Sequence, residues 1–425
     1  MTATRRSARL LPCAALLAAA LLPIAPLATA ASAAAGPPAA AGASAAPAGK
    51  LQLAGPAEQA VPDGWIVVLK QPAAGTRTLP DLLAKAGGSA RIGHVYTSAL
   101  HGFSARMDRN QAARLAADPR VARVQQDTTL TLDAAAPTGT GPAAEQPGAP
   151  WGLDRIDQRA LPLSTTYTYR TTAPGVRVYV IDTGLRTTHT QFGGRASVGT
   201  DTVGDGQNGN DCNGHGTHVG GIVAGSTYGV AKEARLVAVR VLNCQGSAST
   251  SGVIAGVDWV TANAVRPAVA NMSLGGAANS ALDAAVRGSV RAGITYTAAA
   301  GGSARPDGAC ATSPARLPEV ITVAASDSLD RRASSSNYGQ CVALFAPGVG
   351  IPSAWKDSDT ATATLSGTSA ATAHTAGAAA LHLAFRPGDT PAQVKQALVV
   401  NATAGVLQGN PPVAPNRLLY TLYRP

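Results

Sequence analysis

The chain is short of aromatic and charged residues. It has 4 Phe, 4 Trp and 9 Tyr among 425 residues, and only 14% of its residues are charged. A core with so few rings must be packed closely from Ala, Val, Leu and Gly, and 46 Gly and 29 Pro fit a chain of tight turns. Cysteine is scarce too, with 5 in all and no C-x-x-C pair, which removes the usual spacing of a zinc site. Beyond the N-terminus no apolar run reaches membrane-spanning length. The net charge of +10 is spread over both halves of the chain without a basic stripe or interleaved aromatics, which argues against a nucleic-acid partner.

What is present begins with a leader. Arg5, Arg6 and Arg9 precede an apolar run that ends in small residues around Ala28, Ala30 and Ala33. This reads as a secretory signal over residues 1–33. Pro23 and Pro26 interrupt the run and no basic stop follows, so a membrane anchor is not expected. Pro12, just before Cys13, argues against lipid attachment there. Export leaves Cys212, Cys244, Cys310 and Cys341, an even number that fits two disulfides.

Residues 34–61 are rich in Ala and Pro and read as a linker. Residues 62–132 then give, in order, the strand-like GWIVVLK, the helix-like TLPDLLAKAG, the strand pair ARIGHVYTSAL and HGFSARM, the helix-like DRNQAARLAADP and the strand-like VARVQQDTTLTL. Asp108 followed by Gln111 is a capping-box pattern. A small α+β domain of βαββαβ order is expected. Residues 133–148 are again linker-like.

From residue 149 to 425 the pattern changes. Apolar runs at 176–182, 234–242, 269–274, 294–300 and 320–325 alternate with helix-like stretches at 215–226, 251–264 and 279–292. That alternation predicts an α/β fold, a parallel sheet flanked by helices, with its active site at the carboxyl edge of the strands. Asp182 ends the first of these runs.

Three motifs carry the chemistry. In SGTSAATAHTAG, Ser369 opens a small-residue helix, either as a nucleophile favoured by the helix N-terminus or as a cap. In NGHGTH, glycines expose His215, which with His218 is also a conceivable metal pair lacking a third ligand. In VIDTGLRTTH, Asp182 ends a buried strand and needs a partner, a histidine ring or a loop that it holds. A nucleophile, a base and an orienting acid in the order Asp182, His215, Ser369 match the subtilisin type of triad.

With WGLDRIDQR, VYVIDTG, NGHGTHV, SGVIAGVDWV, NMSLGG, SNYG and PNRLLY, residues 149–425 resemble a subtilisin-like serine peptidase of the proteinase K branch, closest to the aqualysins. Residues 62–132 resemble the inhibitor-like propeptide of that family, with HVYTSALHGFSARM and DPRVARVQQD as the telling parts. The resemblance implies a secreted, self-processed endopeptidase whose own propeptide acts as an intramolecular inhibitor. Cleavage is expected near residues 138–146. It implies an extended polypeptide substrate seated between Gly246-Ser247-Ala248 and Ser273-Leu274-Gly275, the disulfides Cys212–Cys244 and Cys310–Cys341, and a monomer. No cofactor is implied for the chemistry.

Three departures stand out. The family has an Asn whose side chain donates to the oxyanion, and here Gly302 stands in its place, with Ser303 as a substitute donor if the loop is re-routed. Removing that donor from a subtilisin costs about 10²–10³ in turnover, so a weakened enzyme is expected. Ala370 and Ala373 replace a Met and a Pro, implying looser packing and a less rigid turn beside Ser369. Ala343 stands where the family often has a calcium-binding Asp, which puts that structural calcium in doubt. The alternative reading is a catalytically silent relative that binds extended peptides. An esterase of the α/β-hydrolase kind would want G-x-S-x-G, which Ser369 lacks.

Overall fold

The computed structural model describes residues 50–56, 58–70, 78–87, 89–132 and 148–423. The expected signal at 1–33, residues 34–49 and 57 of the expected first linker and the stretch 133–147 lie outside the described residues.

The N-terminal part forms one sheet. Its strands are β1 (Leu51–Gln52), β2 (Ala60–Leu69), β3 (Arg91–Tyr96), β4 (Gly102–Arg106) and β5 (Val121–Thr131), with α1 (Thr78–Ala86) and α2 (Arg109–Ala116). The order β1-β5-β2-β4-β3 puts β5 and β4 on either side of β2, both antiparallel to it. The helices cover one face, where Trp65, Val67, Leu82, Phe103, Leu115 and Val124 bury together. The capping box read from Asp108 and Gln111 forms, with both reciprocal hydrogen bonds at 2.8 Å.

The larger part continues through α3 (Trp151–Asp157), β6 (Arg177–Asp182), β7 (Ala196–Asp201), α4 (His215–Ala224), β8 (Arg235–Arg240), β9 (Ser247–Ser249), α5 (Thr250–Asn263) and β10 (Ala268–Met272). Next come β11 (Gly276–Ala277), α6 (Ser280–Arg291), β12 (Thr295–Ala299), β13 (Thr312–Ser313), β14 (Ile321–Ser326), β15 (Leu344–Pro347) and the hairpin β16 (Ile351–Ala354) and β17 (Thr362–Leu365). The chain closes with α7 (Thr368–Phe385), α8 (Pro391–Asn401), β18 (Thr403–Ala404) and β19 (Arg417–Leu418).

The main sheet runs β18-β19-β15-β14-β12-β10-β6-β8-β7, parallel throughout except for the edge pair β18 and β19. Residues alternate faces along a strand. Val178 and Val180 of β6 therefore join the layer with α4 and α7, while Tyr179 and Ile181 join the layer with α5 and α6. The small-residue composition explains α7. Every residue from Thr368 to Leu383 is buried, which a helix of Ala, Thr and Gly allows because it can touch neighbours on all sides. Ala373 lies inside this uninterrupted helix, so there is no turn for it to loosen.

The predicted strands and helices form with ends shifted by a few residues. β1, which lies within the stretch 34–61 expected to be linker, and β7, β9, β11, β13, β15–β19, α3 and α8 are additions to that reading.

The N-terminal sheet packs its open face on α5 and α6. Ile66, Val68, Tyr96 and Leu100 share one apolar cluster with Val253, Ile254, Val257 and Val286. Carboxylates fasten the contact in both directions. Asp127 of β5 accepts from the Ser251 amide (3.1 Å) and hydroxyl (2.5 Å) in the first turn of α5, where helix amides favour negative charge. Asp258 of α5 accepts from the amides of Thr97, Ser98 and Ala99 at 3.2, 2.7 and 2.6 Å. Gly288 of α6 is what lets this loop approach, since a Cβ there would lie 1.9 Å from the Ala99 carbonyl oxygen. Asp258→Ala and Gly288→Ala in a Ser369→Ala precursor are each expected to lower hydrogen-exchange protection of amides 97–99 by about tenfold or more, the equivalent of about 1.4 kcal/mol. Unchanged protection would mean that the apolar cluster alone holds the N-terminal sheet.

Candidate active site

Asp182 ends β6 at the carboxyl edge of the sheet and is fully buried. Its Oδ1 accepts from the Thr183 amide at 2.7 Å and lies 2.7 Å from His215 Nδ1. His215 is the first residue of α4, at its N-terminus. The preceding Gly214 takes φ +110°, and a side chain there would meet the Trp355 ring at 2.5 Å.

The turn that delivers His215 is built around a residue the sequence did not flag. Asp211, buried, accepts from the Thr183 hydroxyl (2.9 Å), the amides of Asn213 (3.0 Å), Gly214 (2.7 Å) and Thr217 (2.8 Å), and the Thr217 hydroxyl (2.6 Å). Its signal in sequence is only an acid three residues before a glycine at a helix start. Beside it, Cys212 is joined to Cys244 with S–S 2.05 Å, and Asn213 donates to the Cys244 carbonyl at 3.0 Å. The second expected disulfide, Cys310–Cys341, also forms, at 2.09 Å.

Ser369 is the second residue of α7 and is buried. The helix cap is Gly367 with no side-chain capping bond, so Ser369 does not serve as a cap. Its hydroxyl donates to the Ser273 carbonyl at 3.1 Å, and the Ser273 hydroxyl donates back to the Ser369 carbonyl at 2.9 Å. Asn271, fully buried and likewise not flagged by the sequence, donates to the Ser273 hydroxyl at 2.9 Å and accepts from Thr297 at 3.1 Å. His215 Nε2 is buried without a hydrogen-bond partner. Asp182 and His215 are thus joined, while the Ser369 hydroxyl rests on Ser273. Catalytic hydrogen bonds often close only when substrate arrives.

Electrostatics separate the two histidines. Burial by itself would lower the His215 pKa, but the charge and hydrogen bond of Asp182 outweigh it, with help from Asp211, and the net direction is up from 6.5. His218 is held down to about 3 by burial and by His215, and its Nε2–H donates to the Ile351 carbonyl at 3.0 Å. His218 is therefore neutral, with its Nε2–H taken up by the Ile351 carbonyl, while His215 Nδ1 is taken up by Asp182.

The cleft is already filled. The end of β5 adds to β9 as an antiparallel strand, with Thr129, Leu130 and Thr131 opposite Ser249, Ala248 and Ser247. Leu132 donates its amide to the Gly246 carbonyl at 3.1 Å, and on the other side Thr131 bridges Gly275. The two segments read as substrate edges thus flank this strand. Buried Leu130 reaches Gly276, where a Cβ would lie 2.0 Å from its Cδ2. Beyond it a cavity of about 190 Å³ is lined by Thr131, Ser273, Gly275, Gly301, Ser303 and Ser369 among others.

The loop at Gly302 is fixed by backbone contacts. Gly301 donates to the Thr368 hydroxyl at 3.2 Å, Asn337 donates to the Gly301 carbonyl at 2.9 Å, and Ala304 donates to the Ser335 carbonyl at 2.7 Å. Gly302 brings no side chain to the site. At Ala343 the methyl packs on the apolar core and the amide donates to Thr322 at 2.8 Å, so the side chain offers no oxygen to calcium and the position does not fit that ion.

Comparison with known proteins identifies the family. Residues 173–417 match the Subtilase family and residues 65–133 match Peptidase inhibitor I9. The chain belongs to the subtilase family, the serine peptidases of subtilisin-like fold. It is 52% identical over 332 residues to an extracellular serine proteinase of Thermus sp. (strain Rt41A), covering 78% of each chain. It is 45% identical over 379 residues to alkaline serine exoprotease A of Vibrio alginolyticus, covering 87% of this chain and 69% of that one. Among solved structures, a cold-adapted subtilisin-like serine proteinase superposes with TM-score 0.63 at 51% identity, covering 65% of this chain and 100% of that one.

The raised His215 pKa sets a pH expectation. A histidine acting as general base works only when neutral, so if His215 has that role kcat/KM should fall on the acid side through a pKa above the ordinary 6.5. Asp182→Asn removes the carboxylate that raises it, so this limb should move to lower pH while kcat drops by about 10⁴. A pH–rate profile in which the limb stays in place would show that Asp182 does not govern the base.

Proposed function

We propose that the protein is a secreted serine endopeptidase, made as a zymogen that processes itself and is held by its own propeptide. The observation that carries this reading is the buried Asp182–His215 hydrogen bond at the edge of a cleft that holds Ser369 and the tail of β5. In the proposed reaction Ser369 Oγ attacks the carbonyl carbon of an extended peptide. His215 Nε2 takes the hydroxyl proton and delivers it to the leaving amine, and Asp182 stabilises the imidazolium. An acyl-enzyme forms, and water repeats the sequence to release the acid. The Ser369 amide at the start of α7 faces the charge that builds on the carbonyl oxygen. No cofactor enters these steps, and Gly302 leaves the oxyanion without the family's carboxamide donor. The extracellular setting rests on the leader read in residues 1–33 and on the Thermus relative's name; no helix among the described residues is long and apolar enough to cross a membrane.

The second reading, a silent peptide-binding relative, is favoured by the Ser369 hydroxyl resting on Ser273 and by Gly302. One experiment decides. The wild-type precursor should mature to a smaller form and take a fluorophosphonate label on Ser369, while Ser369→Ala should do neither, since removing the nucleophilic serine of a subtilisin costs about 10⁶ in kcat. If the wild-type chain neither matures nor labels, the peptide-binding reading replaces the enzymatic one.

The register of the seated strand supports a first cut earlier than 138–146. Thr131 and Ser369 line one cavity, and an extended chain advances about 3.3 Å per residue, so the bond offered to Ser369 lies within about two residues past Leu132. Mass spectrometry of the earliest product should find a new N-terminus there, ahead of the 138–146 region, with later trimming toward Trp151. A first terminus at 138–146 would show that the seated strand is not the one cut.

A further inference from the structure

We infer that Ser303 supplies the side-chain hydrogen bond to the oxyanion that Gly302 cannot. The inference rests on the endopeptidase reading and deepens it. Counting along the sequence puts Gly302 at the donor position, but the described geometry brings its neighbour to the cavity. Ser303 lines the same cavity as Ser369, Gly301 and Thr131. It is exposed, so its hydroxyl is not held in the packed interior.

Its backbone is fixed from below. The buried Asn337 carboxamide accepts from the amides of Ser303 (3.2 Å) and Arg305 (3.0 Å) through Oδ1 and donates to the Ala300 carbonyl through Nδ2 at 2.8 Å. With Gly301 held by Thr368 and Ala304 held by Ser335, the loop is fastened on both sides of Ser303. Ala304 itself takes φ +55°, a conformation a residue with a side chain keeps only when its surroundings impose it. Ser303 thus stands at the cavity on a fixed backbone, and on this inference its hydroxyl turns toward the oxygen of the reacting carbonyl. When the Ser369 Oγ–C bond forms, the carbonyl π pair moves onto oxygen. Ser303 O–H then donates to that oxygen, and its proton stays on Ser303 throughout. Asn337 acts through Ser303 as a positioning residue.

The test uses the matured full-length protein and a chromogenic peptide amide. Ser303→Ala should lower kcat by about 10²-fold with KM changed by less than about twofold, as expected of a donor felt mainly in the transition state. Ser303→Thr, which keeps the hydroxyl, should retain most of the activity. Gly302→Asn should raise kcat more than about tenfold in the Ser303→Ala background and clearly less with Ser303 present, because the two donors serve one oxygen. A Ser303→Ala enzyme within about twofold of wild type, or an equal gain from Gly302→Asn in both backgrounds, overturns the inference. Fluorophosphonate labelling of Ser369 in the wild-type chain keeps the two claims apart. If the label fails, the endopeptidase reading falls and takes this one with it; if it succeeds and Ser303→Ala is silent, only Ser303 is wrong.

Discussion

A carboxylate sealed at the end of an interior strand is costly unless something meets it. Asp182 is met by His215, and much of the surrounding structure exists to make that meeting hold. Asp211 gathers the turn that carries His215, Gly214 bends it under Trp355, and the Cys212–Cys244 bridge ties its far side to the loop after β8. The charge that makes Asp182 awkward to bury is also what lifts the imidazole's affinity for a proton against the pull of burial. Stability and chemistry share one contact.

The opposite wall of the cleft is held by backbone and small side chains. Ser369 and Ser273 exchange hydrogen bonds with each other's carbonyls, and Asn271 locks that exchange to β12 through Thr297. This is affordable only because α7 is made of Ala, Thr and Gly and can be enclosed on every side. The shortage of rings seen in the composition is thus the condition for threading a helix through the middle of the layers.

The sequence made the parallel sheet and its main helices legible, because apolar runs alternate with helix-like stretches. It made Asp182, His215 and Ser369 legible because glycine-rich surroundings mark each one. Asp211 and Asn271 escaped notice, since an acid or amide in a loop looks ordinary until its partners arrive from distant segments. β9, β11 and β13 are two or three residues long, too short for a period of two to register. Gly302 and Ser303 show the remaining limit. Position along a chain fixes which residue aligns with a relative, but the bracket from Asn337 fixes which residue reaches the cavity.

The strand that β5 lends to β9 has one more consequence. Once that strand departs, the enzyme is left with bare backbone donors and acceptors at Gly246–Ser249 on one side and Gly275 on the other. Unpaired strand edges of this kind are where folded proteins usually risk sticking to one another. On the proposed function the hazard disposes of itself, because any extended chain that docks there lies across Ser369 and is cut. The opening that invites aggregation in an inert protein becomes, in this one, a surface that cleans itself.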